Sequence, residues 1–450
     1  MDFSDQKISV IGAARSGLAA AVVLKNLGAE PFLSEHGPES KYTEAKETLT
    51  KYDIRYEFGG HSDRVYDCRL MVTSPGVPAD TEILTTAVSK NIKVISELEL
   101  GFQLCGGKVL AVTGSNGKTT TTSLIGEIFS HSRLNSLVAG NIGNPFCAVA
   151  RGIGIDDWAI LEVSTFQLEW IDKFKPRVAV VLNITPDHLD RHGNMENYIA
   201  LKLKIFSNQN GTDNAILNAD DENLKAFDSI SGKHEFSTAG EVDNGCFARD
   251  NTLYLCRKGN IQRVIDISEI TIKGPHNLAN ACAAVACCAA AGIDIESINA
   301  GLKSFQGVEH RLEQVGLIGG VSFINDSKAT NVDAVYWALQ SVFSPVVLIA
   351  GGRDKDGDFS TLTELVREKV SNLVLIGEAA DKIESVFKDV TRVIRADSLE
   401  GAVGIAYEKA GPDGVVLLSP ACASFDMFDD FEHRGEAFKQ AFNMLKEVSE

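Results

Sequence analysis

The stretch "KVLAVTGSNGKTTTTSLI", Lys108 to Ile125, decides how this chain is read. Its apolar run from Val109 to Val112 predicts a buried strand that stops at Gly114. After Gly117-Lys118-Thr119, the apolar positions Leu124, Ile125 and Ile128 predict a helix. A strand that turns through glycine into a helix N-terminus aims backbone N–H groups at an anion; the lysine adds charge and the hydroxyl a magnesium ligand. Gly114, Ser115, Asn116, Gly117, Lys118, Thr119 and Thr120 are therefore expected to cradle phosphates. The common pattern G-x-x-x-x-G-K-[ST] asks for glycine five residues before Gly117, where this chain has Val112, so the loop is the shorter T-G-x-x-G-K-T.

Around this loop lie 450 residues, enough for about three domains of ordinary size. Charged residues make up 23% and hydrophobic ones 44%, the profile of a globular protein with full cores. A formal net charge of −18 argues against nucleic acid or an anionic membrane surface as partner. The nine cysteines include no C-x-x-C pair. With no secretory signal before Lys7, they read as reduced thiols of a cytoplasmic protein. The small-apolar stretch "ACAAVACCAAAGI", 281 to 293, is too short to span a bilayer and predicts a packed helix.

The chain opens with "KISVIGAARSGLAAAVVLKNLGAEPFLSE", a strand, glycine turn, helix and second strand, as in a doubly wound sheet. Gly12 and Gly17 stand where a dinucleotide fingerprint has glycine, but Ala14 occupies the middle position that lets a backbone approach a pyrophosphate. A nicotinamide cofactor is disfavoured; a uridine-sized ligand or a structural turn stays open. "RLMVTSPGVP" predicts another strand ending in a turn at the carboxyl edge of that sheet. From Gly101 the phosphate loop begins a second block, with strands in "DWAILEVST" and "RVAVVLNIT", an irregular stretch from Asn214 to Ile272, and the alanine-rich helix. A third block near Gly307 alternates strands and helices again. The expected fold is three consecutive α/β domains, 1–100, 101–306 and 307–450: Rossmann-like, a central phosphate-loop ATPase sheet, and Rossmann-like again.

Several side chains at strand ends suit catalysis. Glu162 closes an apolar run and could complete the oxygen ligation of Mg²⁺ begun by Thr119, or lie on the surface. "NITPDHLDRHG" gathers Asp187, His188, Asp190, Arg191 and His192 without the spacing of a zinc site, and His188 is an active-site candidate. Lys202 and Lys204, on a helical pattern with Tyr198, Leu201 and Ile205, read by themselves as solvated lysines. Asn277 and Asn280 could grip an adenine edge or cap a helix. Arg311, at a block junction, could reach a transferring phosphate. Asp326, Lys328, Thr330 and Lys355 suggest an anionic second substrate.

In register, "TGSNGKTTT", "LEVSTFQLE", "TPDHLDRH" with "YIALK", "GPHNLANA", "EHRLE", "NDSKATN", "GGRDKDGDF" and "LLSPACASFDMFDDFEHRGEAF" resemble the bacterial Mur ligases over the whole chain. The last stretch is most similar to the branch that joins D-glutamate to UDP-N-acetylmuramoyl-L-alanine. The resemblance implies a monomeric, cytoplasmic ATP-dependent ligase that forms an acyl phosphate and then an amide. It implies that Lys118 and the loop hold ATP phosphates, that Thr119 and Glu162 bind one Mg²⁺, and that His188 binds a second with a carbamylated Lys202. Asn280, Arg311 and Asp326 would meet the nucleotide, and Lys328 the transferring phosphate. D-glutamate would meet Thr330, Lys355, Ser424 and the backbone of Phe425, with Phe431 nearby; Arg353 competes with Lys355. The uridine nucleotide would meet Arg15, Ser16, Ser34, Glu35, Ser74, Pro75, Gly76 and Asn141, although the Ser34-Glu35 pair departs from the family's usual residues.

Two other classes have residues to speak for them. A nucleotide-gated interaction protein would use the phosphate loop as a switch and hydrolyse ATP without an amino acid. A dehydrogenase would bind NAD in the first domain, with Glu35 as its ribose acid.

Overall fold

The computed structural model of the protein describes residues 3–228, 231–342 and 345–449. Their strands form three sheets. The first is parallel and contains β1 (Lys7–Ile11), β2 (Glu30–Glu35), β3 (Arg55–Phe58), β4 (Leu70–Thr73) and β5 (Lys93–Ser96), in the order β3-β2-β1-β4-β5. Strand order reverses at β1, so the carboxyl ends of β1 and β4 frame a crevice, the usual ligand position in such sheets. The glycines there answer to crowding. A Cβ on Gly12, at φ +97°, would come within 2.8 Å of Ser74 Oγ, and one on Gly17 within 1.9 Å of the Gly12 carbonyl.

The second sheet contains β6 (Lys108–Thr113), β7 (Ser136–Gly140), β8 (Trp158–Glu162), β9 (Val178–Val181), β10 (Asn214–Asn218), β11 (Gly232–Ser237), β12 (Gly245–Arg249), β13 (Thr252–Arg257) and β14 (Asn260–Asp266). Its order is β14-β13-β12-β11-β10-β9-β6-β8-β7. The central strands are apolar on both faces, as helix-covered parallel strands must be. The stretch from Asn214 to Ile272, expected to be irregular, is instead mostly strand. Its last three strands make an antiparallel meander. The turns are Asp250-Asn251 (φ 47° and 60°) and Lys258-Gly259 (φ 51° and 80°), with the positive φ pair that two-residue hairpins need. Short strands carrying charges on their open face hid this from the apolar pattern.

The third sheet contains β15 (Glu313–Ile318), β16 (Val321–Asn325), β17 (Val346–Gly351), β18 (Val370–Ile376), β19 (Arg392–Arg395) and β20 (Val415–Leu418). It is parallel except for the edge hairpin β15–β16, and its order is β15-β16-β20-β17-β18-β19. By packing, the chain divides into two compact units: Met1–Ile270 with Ala279–Phe305, holding the first two sheets, and Thr271–Leu278 with Gln306–Glu450, holding the third.

Within the first unit the two sheets are joined by buried glutamates. The helix Glu97–Leu104 follows β5 and is capped by Ser96 Oγ. On it the Glu99 carboxylate accepts the backbone N–H groups of Asp172, Lys173 and Phe174 at 2.9 to 3.0 Å. Glu97 Oε1 accepts the Cys147 N–H at 2.6 Å, and burial pushes its carboxyl above the usual range. The alanine-rich segment forms the helix Pro275–Ala291, and Ala281 to Cys288 are buried on every side. No helix among the described residues is long and apolar enough to cross a membrane.

Candidate active site

β6 ends at Thr113, and after four intervening residues the helix Lys118–Ser130 begins from Gly117, at φ +82°. A Cβ on Gly117 would lie 2.2 Å from Asn280 Oδ1, so glycine is required both by the turn and by the packed Asn280. The loop between is locked to the chain after β9. Ser115 N–H donates to the Asn183 carbonyl at 3.0 Å and Asn116 N–H to Asn183 Oδ1 at 2.8 Å. Ser115 Oγ donates to the Thr185 carbonyl at 2.9 Å and accepts the Tyr198 hydroxyl at 3.0 Å. Lys118 Nζ donates to the carbonyls of Gly114 (2.8 Å) and Ser115 (2.7 Å). Thr119 and Thr120 are buried at the start of the helix.

Glu162 closes β8, in register with Val112 of β6 and Gly140 of β7. It is 2% exposed, which removes the surface reading. Its Oε1 accepts the Asn141 side-chain N–H at 2.7 Å, while Oε2 is buried with no hydrogen-bond partner. A carboxylate oxygen buried in that state is costly unless something electropositive meets it. Carboxylate and hydroxyl oxygens such as those of Glu162 and Thr119 are hard donors; among the described residues no three His, Cys, Asp or Glu side chains cluster as an all-protein metal site would.

Lys202 is on the helix Met195–Leu203 and only 2% exposed, so the solvated reading fails. Its Nζ lies 4.3 Å from the centre of the Tyr198 ring. Burial, and then the charge of Lys118, push its amine well below the usual lysine range, with Asp187 opposing. His188 has φ +51°, its Nε2 is 3.7 Å from Asp187 Oδ2, and its ring meets the Phe166 ring edge-on at 5.1 Å. The side chain of Asp190 lies outside the described residues.

At the crevice of the first sheet, Arg15 and Ser16 open the helix Arg15–Asn26, which has no side-chain cap. Arg15 reaches 3.5 Å from the Asn141 carbonyl. Ser74 is buried against the Gly12 carbonyl, with Pro75 and Gly76 more open. Ser34 is fully buried, and the Glu35 carboxylate accepts the Ala13 and Gly37 N–H groups at 2.8 and 2.7 Å.

In the second unit, Arg311 lies between two residues in the left-handed region, His310 (φ 61°) and Leu312 (φ 45°). Leucine is strained there, and its N–H is held by Asp326 Oδ1 at 3.2 Å. Asp326 follows β16, and burial raises its carboxyl to about 7 against the opposing Ser419 hydroxyl bond (2.8 Å) and the Arg311 charge. Lys328 Nζ lies 5.2 Å from the centre of the Phe431 ring. Thr330 is half-buried and Ser424 buried; Lys355 is exposed, as is Phe425. Arg353, the competitor of Lys355, is held by Glu378 through two bonds of 3.0 and 3.1 Å.

Residues 112–288 match the Mur ligase middle domain, 310–422 the Mur ligase glutamate ligase domain, and 7–83 the MurD N-terminal domain. The chain belongs to the Mur ligase family. It is 43% identical to the UDP-N-acetylmuramoylalanine–D-glutamate ligase of Koribacter versatilis, with 99% of each chain covered. It is 44% identical to the enzyme of the same name from Pelotomaculum thermopropionicum, again over 99% of each. Among solved structures, its fold is similar to a pseudomurein peptide ligase type C from Methanothermus fervidus. That match has a TM-score of 0.63 and 18% identity, and covers 98% of this chain and 100% of the other. The UDP-N-acetylmuramate-alanine ligase MurC of Thermotoga maritima gives 0.62 and 20%, with the same coverage.

Sequence reasoning gave no role to three side chains of this Mur ligase. Tyr198 served only to mark a spacing, yet its hydroxyl holds Ser115 and its ring covers Lys202. His192 is buried, 3.0 Å from Thr165 Oγ1 and stacked on Phe166. Arg434, 1% exposed, donates to Ser327 Oγ (3.0 Å), the Ser327 carbonyl (2.8 Å) and the Cys422 carbonyl (3.2 Å). A charged residue inside an apolar helical period was the available signal: Phe431, Phe438 and Phe442 flank it at helix spacing.

Proposed function

We propose that this Mur ligase joins D-glutamate to UDP-N-acetylmuramoyl-L-alanine, consuming ATP, as the names of its full-length relatives suggest. The alanyl carboxylate oxygen attacks the γ-phosphorus of ATP and ADP leaves, giving an acyl phosphate. The D-glutamate amine then attacks the acyl carbon, a proton is lost, and phosphate departs as the amide forms. A carboxylate needs this activation because its own oxygen is a poor leaving group.

Lys118 and the backbone of Gly114 to Thr120 would hold the phosphates, and Asn280, Arg311 and Asp326 the nucleoside. Thr119 and Glu162 would hold one Mg²⁺, and His188 with a carbamylated Lys202 the second; the ions supply charge neutralisation for the phosphate oxygens. The observation that carries this reading is that the phosphate loop is flanked by a partnerless buried Glu162 oxygen, on the strand beside its own, and by a buried Lys202 amine that feels the charge of Lys118. An uncharged amine is the form that adds CO₂, and the resulting carbamate is a carboxylate-like ligand. Lys328 would meet the transferring phosphate. Thr330, Lys355, Ser424, Phe425 and Phe431 would meet D-glutamate, Lys355 in preference to the already paired Arg353. Arg15, Ser16, Ser34, Glu35, Ser74 to Gly76 and Asn141 serve the uridine nucleotide, directly or by shaping its site. The working domains are 1–100, 101–306 and 307–450, in a monomer acting in the cytoplasm on small molecules.

Phosphate release from ATP should require both UDP-N-acetylmuramoyl-L-alanine and D-glutamate. Equal release with L-lysine or meso-diaminopimelate in place of D-glutamate would overturn the assignment.

A further inference from the structure

The carboxyl edge of the first sheet holds a polar relay with no part in ATP or amino-acid chemistry. Ser34 Oγ, at the end of β2, lies 2.6 Å from Glu57 Oε1 of β3 and 2.7 Å from His61 Nδ1. Burial pushes the Glu57 carboxyl up, but the bonds it accepts from Ser34 and Ser62 bring it below the usual range, so it is ionised. A carboxylate only accepts. The single hydroxyl hydrogen of Ser34 therefore goes to Glu57, and Ser34 Oγ must accept from Nδ1–H of His61.

That assignment fixes the tautomer: a neutral His61 carries its proton on Nδ1 and a lone pair on Nε2. No described protein group hydrogen-bonds to Nε2, and the ring is partly exposed, 5.8 Å from the ring of His36. Burial and the His36 charge hold His61 below the ordinary histidine range, with Glu57 and Glu35 opposing, so it is neutral at pH 7. The loop that presents it is tied to the crevice. Gly60 N–H donates to the Glu35 carbonyl at 3.3 Å, and the Glu35 carboxylate binds Ala13 N–H in the first turn.

We propose that His61 is a specificity-determining residue for the nucleoside end of the nucleotide substrate, its Nε2 accepting a hydrogen bond from a nucleoside N–H or O–H. Ser34, which the sequence offered as a nucleotide contact, then stands behind His61 and sets its tautomer. This inference rests on the reading that the first sheet binds the UDP sugar. The donor is either the imide N–H of uracil or a ribose hydroxyl.

The test compares wild-type, His61→Phe and His61→Gln enzymes in steady-state kinetics. His61→Phe should raise KM for UDP-N-acetylmuramoyl-L-alanine about tenfold, the scale of one lost hydrogen bond, and leave KM for ATP and D-glutamate unchanged. In the wild type the same KM should rise as pH falls through the titration of His61, because protonation removes the acceptor. His61→Gln, whose amide oxygen accepts but does not titrate, should keep most of the affinity and lose that rise. Inhibition by UMP, N3-methyl-UMP and 2′-deoxy-UMP identifies the donor: the analogue lacking it is insensitive to His61→Phe. An unchanged KM for the nucleotide sugar in His61→Phe, or an equal rise in all three constants, overturns the role of His61. A wild-type enzyme that turns over no UDP sugar overturns the underlying reading instead.

Discussion

The surroundings of Lys202 and those of Arg434 are both buried cation sites, and they are built in opposite ways. Lys202 sits near a second cation, Lys118, with an aromatic ring below it and its amine driven toward the neutral form. Around the phosphate loop that carries Lys118, Glu162 Oε2 and the hydroxyls of Thr113 and Thr120 are buried with no partner. Arg434 is as deeply buried, but its donors meet Ser327 Oγ and two backbone carbonyls. Burial lowers it only to about 10, so it stays charged at neutral pH. Unsatisfied polar groups cost stability and persist where a ligand is to satisfy them; satisfied ones fix shape. The first region holds chemistry in reserve, and the second holds geometry.

The largest effect should come from breaking the first region. Lys202→Ala should lower kcat by about 100-fold or more, the cost expected when a metal ligand is lost, and acetate or formate should partly restore it. Wild-type turnover without any added carboxylate would remove the carbamate. In CO₂-depleted buffer the wild-type enzyme should lose activity faster as pH falls, because acid returns a carbamate to amine and CO₂. Readdition of bicarbonate should reverse that loss, and indifference to CO₂ at every pH would count against it.

Breaking the second region should change binding rather than chemistry. Arg434→Lys keeps the charge but cannot fork to Ser327 and Cys422 together. Since these residues flank the Asp326–Lys328 and Ser424 loops, KM for D-glutamate should rise about tenfold while KM for ATP holds, on the scale of one or two displaced hydrogen bonds. Equal rises in both constants would mean that Arg434 supports the whole unit and not the acceptor loops.

This contrast also explains what could be read in the sequence. The phosphate loop was legible because its backbone does the binding, and glycine, lysine and threonine at fixed spacing are the chemistry itself. The three sheets followed from apolar runs ending in polar loops. Arg434 was legible only as a charge inside an apolar helical period, since its partners, the hydroxyl and carbonyl of Ser327 and the carbonyl of Cys422, lie about a hundred residues and a dozen residues before it, and carbonyls leave no sequence signature. Lys202 was misleading by itself: a helical pattern gives spacing but not which face is covered, and only the family resemblance reversed the solvated reading. The meander from Gly245 to Asp266 escaped because its turns lack an Asn-Gly or Asp-Gly pair, although Asp250-Asn251 and Lys258-Gly259 do the same work.

The smallest effect should be at a satisfied site far from both reactions. The Glu99 carboxylate accepts three successive backbone N–H groups, and one of its oxygens also accepts from Gln103. Like Arg434 it pairs a buried charge with backbone, but it joins two sheets rather than two substrate loops. Glu99→Gln keeps the shape and one acceptor oxygen while turning an NH₂ toward donors, which should cost about 1–3 kcal/mol. For a unit of this size the melting temperature should fall by several degrees, read by calorimetry, with KM for ATP and D-glutamate unchanged. If either KM moved before the melting temperature did, satisfied buried charge would be tuning the reaction too, and the division between chemistry and geometry would not hold.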